Sequence, residues 1–139
     1  MNTETPKSEY MLLFRGTHWD GGLSPEETQN VLGQFMGWLE RLTAEGTAKG
    51  GQPLENTGRI VSAKKRGGIV DGPFAESKEA VGGYFILQGV DLEEAVEIAR
   101  GCPALKYGMI VEVRPIAEQC PIERRIEMES KEKGALATA

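Results

Sequence analysis

Histidine, cysteine, basic charge and long apolar runs are all scarce in this 139-residue chain, and each scarcity removes a class of function. The single histidine, His18, and two cysteines with 17 residues between them offer no recognised metal-ligand spacing, so no metal site is expected. Cys102 and Cys120 each precede a proline at an element boundary. Two such cysteines make no disulfide framework, and both read as free thiols. No stretch approaches the roughly 20 apolar residues of a transmembrane helix. The segment Met1 to Glu9 lacks the basic start and apolar run of a signal peptide, which leaves a cytoplasmic location as the default expectation. With 16 basic against 21 acidic residues the net charge is −5, which opposes non-specific binding to nucleic acid or anionic lipid. The glycine-rich piece Gly46 to Gly51 has neither the Lys-Ser/Thr of a phosphate loop nor a dinucleotide fingerprint. No cofactor is therefore expected, and neither a nucleic acid nor a membrane partner.

The hydrophobic share of 40% beside 27% charged residues is that of an ordinary globular protein, and the length suits one domain. Tyr10-Met11-Leu12-Leu13-Phe14-Arg15 is apolar without alternation and of strand length, the pattern of a central strand covered on both faces. Ser24-Pro25-Glu26-Glu27 supplies an N-cap, a proline at the first helical position and a capping-box glutamate. The helix it opens runs to about Ala44, with Val31, Leu32, Phe35, Met36, Leu39 and Leu42 as its apolar face. Thr47 to Thr57 is rich in glycine and proline and predicts only a short or irregular strand.

Arg59 to Lys64 and Gly68 to Asp71 flank a basic glycine-rich turn, predicting a small β-hairpin. Gly82 to Gln88 reads as another buried strand, and Asp91-Leu92-Glu93-Glu94 repeats the capping box for a helix through about Arg100. The apolar face of that helix comprises Leu92, Ala95, Val96 and Ala99. Met109 to Arg114 forms the last strand, and a short surface helix near Ile122 to Lys133 with a frayed tail comes after it. The order strand, helix, short strand, inserted hairpin, strand, helix, strand is that of a split βαβ plan in an α+β domain. Two helices on one face of a mainly antiparallel sheet leave the other face uncovered. On this reading Leu12, Phe14, Phe85, Leu87, Val111 and Val113 exceed what one helical layer can satisfy, and a second subunit is the economical cover.

The segment Asp71-Gly72-Pro73-Phe74-Ala75-Glu76-Ser77-Lys78 is the most distinctive stretch. Asp71 can accept hydrogen bonds from backbone amides just ahead of it, Gly72 permits dihedrals other residues avoid, and Pro73 fixes its own φ. A stiff turn presenting Asp71, Phe74, Glu76 and Lys78 in defined directions is expected.

This motif, with Tyr10-Met11-Leu12-Leu13, Ser24-Pro25-Glu26-Glu27, Gly82-Gly83-Tyr84 and Val111-Glu112-Val113-Arg114-Pro115, resembles the DGPF-type branch of the YCII-related domain proteins. The resemblance implies a ferredoxin-like α+β domain over residues 10–116 that dimerises face to face as a dimeric α+β barrel. Flanking it are a disordered N-terminal segment at 1–9 and a C-terminal helix and tail at 117–139. It further implies a cleft in each subunit. In the wider family a histidine and an aspartate in that cleft look like a catalytic dyad, and the carry-over here is Asp71 as the acidic member. Some relatives place a histidine where this chain has Cys102.

Four of the six candidate site residues have two readings. Asp71 is a general base if desolvated beside a cleft, or a cap for the amides of its own turn. His18, beside Trp19 and Asp20, is a second proton carrier or a solvated loop residue. Arg15 and Lys78 suit a carboxylate or phosphate, and Trp19 and Phe74 suit an apolar pocket wall, while Phe74 equally suits a core anchor and Lys78 a solvated face. These residues support two functions. One is a homodimer binding a small organic ligand, with cofactor-free proton transfer at Asp71 and His18. The other is a non-catalytic dimeric interaction or regulatory module, the resemblance linking some such domains to sigma factors.

Overall fold

In the computed structural model, residues 7–63, 69–71 and 80–138 are described. The order is β1 (Ser8–Arg15), α1 (Pro25–Ala44), β2 (Ala48–Pro53), β3 (Arg59–Val61), β4 (Ile69–Asp71), β5 (Val81–Val90), α2 (Leu92–Arg100), a 3₁₀ turn (Leu105–Tyr107), β6 (Ile110–Pro115) and α3 (Pro121–Thr138). The N-terminal segment expected at 1–9 falls mostly, and the turns expected within 64–68 and 72–79 wholly, outside the described residues. β1 starts at Ser8, two residues earlier than the apolar run alone suggests, because the strand pairs Ser8 with Val90 before that run begins.

Both capping boxes form. The Ser24 hydroxyl accepts from the Glu27 N–H at 3.2 Å while the Glu27 carboxylate accepts from the Ser24 N–H at 3.1 Å. Asp91 and Glu94 do the same at 2.8 and 3.1 Å, with Asp91 buried.

The main sheet has four strands in the order β2-β5-β1-β6, every neighbouring pair antiparallel. β1 and β2 are thus joined through α1 with β5 between them, and β5 and β6 through α2 with β1 between them, which is the ferredoxin-like split βαβ arrangement. β3 and β4 pair antiparallel as a separate hairpin, Arg59 opposite Asp71.

Register sorts the side chains between the two faces. Leu12 lies opposite Phe85 and Val113, and Phe14 opposite Val111, so these residues share the face that carries the helices. Leu12 and Leu87 are fully buried there. This corrects the expectation that Leu12, Phe14, Phe85, Leu87, Val111 and Val113 overfill one layer: all six pack with the helix-side core. The opposite face carries Met11 and Leu13 of β1 with Tyr84 and Ile86 of β5, all half-buried. The Glu9–Lys49 ion pair flanks it at one end and the Arg15–Glu112–Arg114 group at the other.

The face of α1 also differs from expectation. Val31, Trp38 and Leu42 are buried and Phe35 is half-buried, whereas Leu32 and Met36 are 47% and 48% exposed. Residues 31, 35, 38 and 42 recur at alternating four- and three-residue steps and form one straight stripe, while 32 and 36 lie about 100° further round the helix. Trp38 meets Phe14 edge-on at 6.2 Å and Phe35 at 5.7 Å, and Phe14 meets Phe35 edge-on at 5.2 Å. On α2, Ala95 and Ala99 are buried as expected but Leu92 is 37% exposed, and Ile98 packs on the core instead.

The last helix is longer than expected, and each of its described side chains is exposed. Among the described residues no helix is long and apolar enough to cross a membrane.

Trp38→Ala is expected to cost about 3–5 kcal/mol and Leu32→Ala under about 1 kcal/mol in urea unfolding followed by circular dichroism. Equal costs would contradict the stripe.

Candidate functional site

One end of the sheet opens into a cleft of about 400 Å³. The C-terminal ends of β1 and β2 and the N-terminal end of β5 meet there under the middle of α1. From α1 come Phe35, Met36 and Leu39, the part of the helix's apolar side that the core does not fully cover. Phe14, Tyr84 and Phe85 come from the sheet, Met109 from the approach to β6, and Trp19 from the loop after β1. The polar members are Arg15, Thr17, Gln52 and Asn56. A cleft of this size, mainly apolar with a few convergent polar groups, has the make-up of a small-molecule site. Two other hollows, about 550 Å³ near Arg114 to Arg124 and about 490 Å³ near Asp20 to Gln29, are no smaller but are walled chiefly by exposed side chains.

The cleft's framework depends on two close approaches. A Cβ at Gly51 would lie 2.0 Å from the Tyr84 carbonyl oxygen, so only glycine lets β2 sit this near β5. A Cβ at Gly82 would lie 2.5 Å from the Thr17 methyl, which holds the loop carrying Trp19 against β5. Trp19 is further steadied by Tyr107, its ring 6.5 Å away and itself under the Lys106 ammonium at 5.4 Å.

Arg15 is the one lining residue, among those described, that is charged at neutral pH. Its Nε is buried and makes no hydrogen bond, although Glu112 Oε1 lies 3.4 Å away. Arg114 Nε lies 3.7 Å from the other oxygen of the same carboxylate. Two guanidinium groups therefore share one carboxylate, and the group keeps a net charge of +1.

Of the residues singled out from sequence, the structure brings Arg15 and Trp19 together at the cleft. His18 is exposed and does not line it, and neither does Asp20. Successive residues of this tight turn point apart, with Trp19 inward and its neighbours outward. The backbone of Asp71 ends β4 opposite Arg59, while Phe74 and Lys78 lie outside the described residues.

Periodicity in the sequence assigns Phe35, Met36 and Leu39 to the core and gives Gln52, Asn56, Tyr84 and Met109 no site role. The Gly82-Gly83 pair, two residues without side chains inside an otherwise apolar strand, is the available signal for close packing at the site. Cys102 is buried directly behind Met109, its thiol 3.6 Å from the Met109 sulfur. Burial pushes that thiol's pKa up, and backbone amides of Ala104 and Leu105 offset only part of the rise. Among the described residues no three His, Cys, Asp or Glu side chains gather as a metal site would require.

A family model of the YCII-related domain matches residues 8–119. No curated protein matches the chain.

The two thiols should react very differently. Cys120 is exposed, and hydrogen bonds from the Glu123 and Ile122 amides at the start of α3 lower its pKa. Iodoacetamide at neutral pH is expected to label Cys120 in the native protein and Cys102 only on unfolding, as read by peptide mass spectrometry. Native labelling of Cys102 at a comparable rate would contradict its burial.

Proposed function

The chain belongs to the YCII-related domain family, and on that premise we propose that it is a cytoplasmic homodimer of the DGPF-type branch that binds a small organic ligand in the cleft of each subunit. The observation that carries this reading is the cleft itself, about 400 Å³ and walled by aromatic residues. A site so largely built before any ligand arrives needs little ordering on binding, which favours affinity.

Pairing of two sheets face to face is supported by Met11, Leu13, Tyr84 and Ile86, an apolar patch between two groups of charged side chains. An apolar centre with a charged rim is the common anatomy of a protein interface. The second copy would cover this face, which is distinct from the helix-side core.

Proton transfer, where the ligand undergoes it, is assigned to Asp71, with His18 as the second proton carrier. Three features of the chain support this. In sequence the segment after Asp71 leads to β5, whose Gly82 lines the cleft, and the described lining offers no carboxylate or imidazole of its own. His18 stands between the cleft residues Thr17 and Trp19. Phe74 and Lys78, on the same turn, would add an apolar wall and a second cation to Trp19 and Arg15. A general base serves best with a pKa near the working pH, which desolvation of Asp71 by a bound ligand would promote.

A second reading has its own observation. Ile122, Ile126 and Met128 of α3 are 58%, 53% and 59% exposed, and a projecting helix of this kind suits an interaction or regulatory module, including one acting on a sigma factor.

Sedimentation at micromolar concentration is expected to show a dimer, and a thermal-shift screen of small organic acids to yield stabilising compounds. A ligand present at a hundred times its Kd adds about 2.7 kcal/mol by mass action. Asp71→Asn should then leave the dimer and ligand stabilisation intact while abolishing turnover. A monomer would contradict both readings, and the absence of any stabilising compound would favour the interaction module.

A further inference from the structure

Building on the cleft as a binding site, we propose that its ligand is an alkyl-substituted ring compound. Its ring sits in a hollow floored by glycine, and its apolar chain leaves along the flank of α1 over Met36 to Leu32. The hollow follows from the strand register. Gly51 pairs with Phe85, and Gly83 pairs with Pro53 on one side and Phe14 on the other, so these positions share the helix-side face at the end of the sheet. Gly51 and Gly83 put no side chain into that face, which leaves space between β2, β5 and α1. Trp19, Phe35 and Phe85 line the same space while packing at the margin of the core, and aromatic walls favour a ring in edge-on or offset contact.

The chain follows from the helix. Residues 32, 36 and 39 recur at steps of four and three and form one stripe of α1 beside the buried one. Leu39 lines the cleft and packs against the core, Met36 lines the cleft while 48% exposed, and Leu32, one turn further on, is 47% exposed. The apolar surface of the cleft therefore continues through Met36 onto the outside of the helix, and from residue 39 to residue 32 it extends about 10 Å. At about 400 Å³ the cleft lies near the lower end of the range for small-molecule sites, roughly 300–1,000 Å³, so a ligand longer than a substituted ring emerges from it. A chain emerging over Met36 and Leu32 removes its own apolar surface and theirs from water. Met36, unbranched and flexible, suits such a lip.

The test is an NMR titration of the full chain, labelled at its methionine methyl groups, with phenol, 4-ethylphenol, 4-butylphenol and 4-hexylphenol, which are neutral at pH 7 as the tyrosine side chain is. Met36 and Met109 line the cleft, whereas Met11 lies on the open face of the sheet and Met128 on α3, so these methyls report where a compound binds. Affinity is expected to rise about two- to fourfold per added methylene. The Met36 shift should grow with chain length while that of Met109 stays the same. Leu32→Gln should remove the gain from butyl to hexyl and leave 4-ethylphenol unchanged, and Met36→Gln, read at Met109, should remove the gain from ethyl to butyl as well. Circular dichroism and sedimentation of each variant separate loss of binding from loss of fold or dimer. An affinity indifferent to chain length, or a gain untouched by both substitutions in folded variants, overturns the path over α1. A dimer lost in Leu32→Gln also overturns it, by assigning that residue to the subunit contact. If no phenol binds at millimolar concentration while compounds from the thermal-shift screen shift Met36 or Met109, the ligand class falls and the cleft reading stands. Shifts confined to Met11 or Met128 with every compound overturn the cleft reading as well.

Discussion

The contact among Phe14, Phe35 and Trp38 fixes where α1 crosses the sheet, and the extent of the core, the position of the cleft and the residues that wall it all depend on that placement. The three rings interlock edge-on or tilted with centroids 5.2 to 6.2 Å apart. Such packing contributes beyond the area it buries and resists sliding of the helix along the strand. Phe14 and Phe35 belong both to the packed core and to the cleft wall, so the same contact ends one and begins the other. Had α1 been seated one turn further along, the helix would have covered this end of the sheet with side chains.

The two faces of the sheet are chemically distinct yet meet at one residue. Arg15 ends β1 at a bulge against β5, lines the cleft, and also joins the ion group with Glu112 and Arg114 that borders the open face. A charge shared in this way sits where the cleft and the open face of the sheet meet. Glu112 and Arg114 of β6 lie directly opposite Leu13 and Met11 of β1, so covering that face would desolvate the ion group and strengthen the interactions within it.

How much of the fold and the site is legible in the sequence depends on how local the signal is. Both helix starts are readable because Ser24 with Glu27 and Asp91 with Glu94 satisfy orphan amides three residues apart. The split βαβ order is readable from the spacing of apolar runs, and the β3–β4 hairpin from its flanking turn. Which side of the sheet each residue faces is not, since a continuous apolar strand such as Met11-Leu12-Leu13-Phe14 gives no alternation to assign its faces. Trp38 loses to Leu32 and Met36 on spacing alone because three- and four-residue steps admit two overlapping stripes, and only packing against Phe14 selects between them. At the site, Arg15 and Trp19 stand out by residue type and position at a strand end. Gln52 and Asn56 come from a glycine- and proline-rich stretch without periodicity, and their convergence on α1 is a tertiary fact. His18 draws attention as the sole histidine, but neighbours in a tight turn do not share a direction.

The central claim is that the space between α1 and the ends of β1, β2 and β5 is a binding site for a small organic ligand. A crystal structure of the full chain grown with a compound that raises its melting temperature tests it most directly. The account predicts the compound in the cleft, between Phe35 and Phe85. An empty cleft with the compound bound elsewhere would contradict it.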